Sequence, residues 1–157
     1  MEEIKLLSDD VIEQIKDFNH WFLTKEQKSL IDKLILDEEL KKYYKKYGLC
    51  WECKQPKTHY EWCRVCNAKR FQQNFKNWSS GNNDVDKLIQ NAQLKAKNKN
   101  EVIEWIEHNR FENVEYLAKG GFGTVFKAIW IDGPIEVALK CLHNSQNITA
   151  EFLREVR

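Results

Sequence analysis

The residues best placed to do chemistry lie in the stretch CWECKQPKTHYEWCRVC, where Cys50 and Cys53, then Cys63 and Cys66, form two C-x-x-C pairs separated by nine residues. In each pair a tight turn lets two sulfurs and nearby backbone N–H groups converge on one ion. Two such pairs supply the tetrahedral four-sulfur set that zinc accepts without redox chemistry. Lys54, Lys57 and Arg64 stand close by and favour the thiolate forms. Four protein ligands fill the coordination shell and leave no open position, so the expected role of the metal is structural. The alternatives are disulfides, a redox-active dithiol or four ordinary buried cysteines. Disulfides fit poorly with a chain lacking a secretory signal. A thioredoxin-like dithiol calls for one motif in a βαβ setting, not two outside one. His59 lies between the pairs and could replace a cysteine, but with four thiols at hand it is expected on the surface. Cys141, outside the cluster, reads as a buried strand cysteine.

A second chemical signal is LAKGGFGTVFKAIW, Leu117 to Trp130, which reads as strand, glycine-rich turn and strand. Glycines let backbone N–H groups approach phosphate oxygens without side chains intervening. At a strand's distance follows VALK, Val137 to Lys140, and then EFLREV, Glu151 to Val156. A lysine on an adjacent strand can supply positive charge to the phosphates, and a helical glutamate can hold that lysine in place. The chance alternative is an ordinary β-hairpin with a glycine-rich turn. A dinucleotide-binding fold is disfavoured, because its loop leads from strand into helix, whereas TVFKAIW is strand-like.

These motifs, in this order and spacing, resemble the start of the eukaryotic protein-kinase domain. The family pattern G-x-G-x-x-G-x-V falls on Ala118, Gly120, Gly123 and Val125, with alanine in place of the first glycine. Gly121, Phe122 and Thr124 complete the loop, and Phe122 matches the aromatic that often tips it. The resemblance implies that Lys140 meets the α and β phosphates of ATP and that Glu155, fifteen residues on, pairs with Lys140. It also implies that Leu117, Val125 and Ala138 pack against adenine, and that magnesium accompanies the nucleotide in the complete family domain. It covers residues 104–157 only. The catalytic H-R-D-x-x-x-x-N and the metal-binding D-F-G do not occur in the sequence. The implied function is therefore that of the N-terminal part of an ATP-dependent protein phosphotransferase, truncated and inactive by itself, with a protein substrate in the complete kinase. The competing expectation is a non-catalytic zinc-bearing interaction module with a vestigial kinase-like tail.

The elements expected to position these residues give an α+β chain. Residues 9–23 read as an amphipathic helix opened by an Asp10–Glu13 capping box, with Val11, Ile15, Phe18 and Phe22 on one face. Thr24 and Gln27 repeat the capping signal and open a helix running to Tyr47, with Leu36, Leu40, Tyr43 and Tyr47 as its later stripe and Gly48 as its left-handed stop. Residues 1–47 thus form a helical hairpin and 48–76 the small Cys₄ zinc module. Residues 77–103 form a linker with a helix over 84–96, carrying Val85, Leu88, Ile89 and Ala92, and then an exposed, mobile KAKNKN. Residues 104–157 form a truncated antiparallel-sheet small lobe, with strands at 111–117, 124–130 and 135–141, an IDGP turn whose Asp-Gly supports positive φ, and a helix from about Thr149.

Composition narrows the partners. The chain of 157 residues could hold one ordinary domain or two small ones, and its 25 basic and 24 acidic residues leave it near neutral. No apolar run approaches the roughly 20 residues that span a bilayer. The acidic start MEEIKLL is no secretory signal, so an intracellular, cytoplasmic location is expected and no membrane partner. From Lys41 to Lys76 ten Lys or Arg face two Glu, with eight aromatics interleaved. Basic residues among aromatics are one footprint of nucleic-acid binding. A solvated helix end followed by a metal knuckle explains the same pattern, and four thiolates around zinc offset part of the excess. A charge patch alone rarely identifies a partner, so nucleic acid is not expected, and a protein partner for the helical and zinc segments is the open alternative.

Overall fold

A computed structural model of the chain describes residues 4–121 and 123–143. The described residues form five α-helices, α1 Asp9–Ile15, α2 Lys25–Leu34, α3 Glu38–Tyr47, α4 Arg64–Asn74 and α5 Asn83–Lys95, followed by strands β1 Phe111–Lys119, β2 Gly123–Trp130 and β3 Ile135–Leu142. The α+β class and the three expected strands are present. The chain divides into two units, Met1–Glu104 and Trp105–Arg157.

In the first unit the expected two helices are three. α1 stops at Ile15 because Asn19 draws the chain into a turn: its side chain accepts from Trp21 N–H at 3.0 Å and its carbonyl from Phe22 N–H at 2.9 Å. Ser8, not Asp10, is the N-cap, and no side-chain capping bond forms there. The Thr24–Gln27 capping box does form and starts α2. The run expected to reach Tyr47 breaks at Ile35, whose backbone is extended, and Asp37 restarts it by accepting the N–H groups of Glu39 and Leu40, each at 3.0 Å. An aspartate followed by two glutamates is itself a helix start. Gly48 ends α3 at φ 69°, ψ −170°, a positive φ but not the left-handed helical basin expected of it.

The break re-sorts the core. Leu7, Ile12, Ile15, Ile31, Ile35 and Tyr44 form the buried cluster, with Val11, Phe18 and Leu40 against it. Ile15, Ile31 and Ile35 are essentially sealed from water, each contributing about 1.5–3 kcal/mol of transfer free energy. Tyr44, absent from the expected stripe, is buried and donates its hydroxyl to the Ile15 carbonyl at 3.1 Å. Phe22 and Leu36, both expected inside, are 82% and 83% exposed, because each sits where a helix has ended.

α5 begins at an Asn82 cap and buries Ile89 and Gln93. The KAKNKN stretch at its end is exposed at Lys95, Lys99 and Asn100 but docked in its middle. Ala96 is buried, the Ala96 carbonyl accepts from Trp62 Nε1 at 3.0 Å, and the Lys97 carbonyl accepts from Thr58 Oγ1 at 2.7 Å. These bonds fasten the end of α5 to the cysteine segment.

In the second unit the sheet order is β1-β2-β3, antiparallel throughout. β1 carries two irregularities, one spanning Asn113, whose φ is 51°, and one at Leu117. β2 and β3 pair without a break from Gly123 opposite Leu142 to Trp130 opposite Ile135. The 131–134 turn is present, but Gly133 does not use positive φ. Its need is space: a Cβ there would lie 2.9 Å from the Trp130 ring.

Candidate functional site

The first cysteine pair sits on a turn built by the local sequence. Leu49 and Pro56 form an antiparallel bridge, Cys50 N–H donates to the Gln55 carbonyl at 2.8 Å, and Lys54 N–H donates to the Cys50 carbonyl at 2.9 Å. Lys54 closes the turn at φ 58°, a conformation that costs a side-chain-bearing residue energy unless its surroundings demand it. The second pair opens α4. Cys63 is the N-cap and Cys66 lies in the first turn, while Asn67 donates both its backbone N–H and its side-chain amide to the Cys63 carbonyl. The helix N-terminus places its positive partial charge beside the sulfurs.

The four sulfurs converge. All Sγ atoms lie within 4.8 Å of one another, with Cys50 and Cys66 at 3.8 Å and Cys53 and Cys63 at 3.5 Å. A Zn–S bond of about 2.3 Å in a tetrahedron requires S···S edges of about 3.8 Å, so the spacing suits a four-coordinate ion of that size. None of the four is in a disulfide, and Cys50, Cys63 and Cys66 are buried. Burial raises the Cys50 thiol, but the backbone N–H groups of Cys53 and Glu52 aim at its sulfur and hold its pKa below the usual thiol value. Burial pushes Cys63 up to about 12 against the lowering pull of the Cys66 N–H. Burial also drives Cys66 upward, and its cysteine neighbours add to the rise. Four sulfurs this close cannot all ionise unless a cation balances them. His59 is exposed and outside the cluster, as expected.

Sequence reasoning missed what braces the site. Gln55 is buried, and its side-chain amide takes both main-chain groups of Leu7: Oε1 accepts Leu7 N–H at 2.7 Å and Nε2 donates to the Leu7 carbonyl at 3.0 Å. A lone glutamine in a polar loop carries no pattern that could have announced this. Arg70 of α4 reaches Glu52 of the first turn at 2.8 Å.

The loop residues of the second unit lie on the β1–β2 hairpin. Gly120 N–H donates to the Gly123 carbonyl at 2.8 Å. A Cβ on Gly123 would lie 2.5 Å from the Cys141 carbonyl oxygen, so glycine is required there for strand approach. Val125 is directly opposite Lys140 and also opposite Ala118, and Ala138 is two residues from Lys140 on β3. Opposed residues and alternate residues share a face. Ala118, Val125, Ala138 and Lys140 are thus brought together on one side. Leu117 sits in the β1 irregularity, half exposed, with no register partner on β2. Thr124 falls on the opposite face, across from Cys141, with its hydroxyl 3.4 Å from His143 Nε2. Gly121 is exposed at the loop. Phe122, Glu155 and the helix expected from Thr149 lie outside the described residues. Cys141 is exposed, not buried, because β3 has β2 as its single neighbour among the described residues.

Among the described residues no helix is long and apolar enough to cross a membrane. No family model matches the chain, and neither does any curated protein or solved structure.

Proposed function

We propose that the chain joins a structural zinc module to the ATP-binding strands of a protein-kinase-type phosphotransferase. The zinc part rests on the four converging sulfurs, whose spacing suits a tetrahedral ion and whose closed shell suits a structural role. The nucleotide part rests on the strand register. Lys140 stands opposite Val125, and Ala138 lies two residues from Lys140 on the same strand, so the cation and two of the three residues proposed to meet adenine share one face of the sheet. In this reading Lys140 neutralises phosphate charge, Val125 and Ala138 contact the base, and magnesium accompanies the nucleotide.

A second reading, a non-catalytic zinc-bearing interaction module with a vestigial kinase-like sheet, draws support from the loop. Its Gly120 N–H is engaged by the Gly123 carbonyl rather than held open for a phosphate oxygen. Calorimetric titration with Mg-ATP separates the two. In the first reading the protein binds nucleotide, and Lys140→Met weakens binding about 10- to 100-fold, the worth of a charge-assisted hydrogen bond, with unchanged melting. Equal ATP binding by parent and Lys140→Met, or none by the parent, removes the nucleotide role. Elemental analysis tests the metal independently: one zinc per chain is expected, and less than about half an equivalent refutes it.

A further inference from the structure

Between the cysteine pairs and the end of α1, two aromatic rings lie open to water. Trp21 and Tyr60 are stacked, with ring planes 7° apart and centroids at 6.0 Å, yet they remain 60% and 50% exposed. Two rings packed against each other and still half exposed each keep an open surface. Their placement is built rather than incidental. Trp21 is held by the Asn19 turn and by its neighbour His20, whose ring lies so close over Gly48 that a Cβ there would meet His20 Nδ1 at 2.5 Å. Tyr60 tips the turn closed by reciprocal His59–Trp62 backbone bonds of 3.2 Å, and its ring stands edge-on to buried Tyr47 at 5.1 Å.

Two lysines stand beside these rings, and Glu61 follows Tyr60 in the chain. Lys57 Nζ donates to the Tyr60 carbonyl at 3.1 Å, and Lys46 Nζ sits 4.9 Å from the Tyr47 ring centre. Neither is in an ion pair with a carboxylate among the described residues, whereas Lys41 and Lys45 on the same helix are paired with Asp32. The His20 ring, with its Nε2 buried and without a partner among the described residues, titrates low because of burial and then of Lys57.

We propose that this platform binds single-stranded nucleic acid, with bases stacking on Trp21 and Tyr60 and phosphates meeting Lys46 and Lys57. The observation beyond charge is the pair of parallel rings. Flat, sequence-independent stacking is what exposed nucleobases offer and what an acidic peptide lacks. Unpaired lysines next to such rings match a phosphate backbone. The proposal is independent of the nucleotide reading of the sheet.

The test uses the whole zinc-loaded chain and fluorescein-labelled oligo(dT) and oligo(U) of about twelve nucleotides, followed by anisotropy at about 50 and 150 mM salt. Trp21→Leu and Tyr60→Leu keep apolar bulk but lose the π-face, and each should weaken binding about 5- to 100-fold. Trp21→Phe and Tyr60→Phe should retain most of the affinity. Lys46→Gln and Lys57→Gln should each reduce the salt slope by about 0.7. A stronger response to one sugar than the other identifies the nucleic acid. The proposal is overturned if neither oligonucleotide binds, if the Leu variants bind like the parent while their circular dichroism and metal content are unchanged, or if poly-glutamate displaces the oligonucleotide at matched charge, which would mark an acidic-peptide site.

Discussion

Replacing Gln55 should destabilise the whole N-terminal unit, although the residue is neither apolar nor a metal ligand. Its side chain acts as a one-residue strand, satisfying the N–H and C=O of Leu7, while its own carbonyl takes the Cys50 N–H. Leu7 belongs to the helical core, so Gln55 links that core to the cysteine turn. Gln55→Ala removes two buried hydrogen bonds worth about 1 kcal/mol each and leaves two main-chain groups to find water through the opened space, for a total of about 2–3 kcal/mol. With a urea m-value of about 1.5 kcal/mol/M for a unit of this size, the unfolding midpoint should fall by about 1.3–2 M. Gln55→Glu sharpens the test. A carboxylate keeps the acceptor for Leu7 N–H but turns a second oxygen toward the Leu7 carbonyl, which disfavours the ionised form and raises the folded pKa above the usual value of about 4.3. The penalty is then complete above the folded pKa and fades as pH falls toward the unfolded one. Urea melts of parent and Gln55→Glu should therefore converge on acidification. An alanine variant within about 0.5 kcal/mol of the parent, or a glutamate variant whose deficit ignores pH, would refute the reasoning.

Serine at any one of Cys50, Cys53, Cys63 or Cys66 should abolish stoichiometric zinc and leave residues 48–70 rapidly exchanging in amide hydrogen exchange, since metal binding supplies the folding free energy of so small a module; full protection in any of the four would argue against a shared site. Lys54→Gly should be neutral or stabilising because Lys54 holds φ 58°, and Lys54→Val should lower the melting temperature; the reverse order would contradict the turn geometry. Gly123→Ala should loosen β2 from β3, costing about 1–3 kcal/mol as backbone moves away from the Cys141 carbonyl, and unchanged exchange protection over 124–142 would speak against it. Asp37 is held below the usual carboxylate range by Lys5 first and then by the Leu40 N–H, so its charge stabilises the fold above about pH 4 and that contribution is lost as pH falls through the depressed folded pKa. Asn caps equally well without the charge, so the stability gap between parent and Asp37→Asn should close in that window, and a constant gap would dismiss the ion pair.

What could be read from the sequence was chemistry that repeats at short range. The paired C-x-x-C spacing announced the sulfur cluster because each pair is closed by a turn of its own, and the Thr24–Gln27 capping box announced α2 because its bonds span three residues. The sheet was legible for the same reason: β-branched and aromatic residues around a glycine turn leave little choice but a hairpin. The structure departs from expectation where two local signals compete. The apolar period through Leu36 and Leu40 argues for continuity, while Asp37 with Glu38 and Glu39 argues for a new start, and the cap prevails by satisfying the Glu39 and Leu40 N–H groups while Ile35 stays buried.

The cysteine spacing marks residues 48–76 as a small module, and long-range polar contacts tie that module to the helices around it. Gln55 is bound to Leu7, Thr58 and Trp62 to the end of α5, and Arg64 Nε to the Leu94 carbonyl at 3.3 Å. Every one of these spans at least 30 residues and involves a polar side chain meeting a main-chain group, a pairing that leaves no periodic trace in the sequence. Such bonds form only after both partners are already placed. An ion on the four sulfurs would fix the Cys50–Gln55 turn and the start of α4 together, and through Gln55 and Arg64 it would order α1's approach and α5's end as well. On that account the metal supports the folding of the N-terminal unit as a whole, and its removal should lower protection at Ile12 and Ile89 as well as around the cysteines. Chelation that leaves those two amides protected would confine the metal's influence to the turn it occupies.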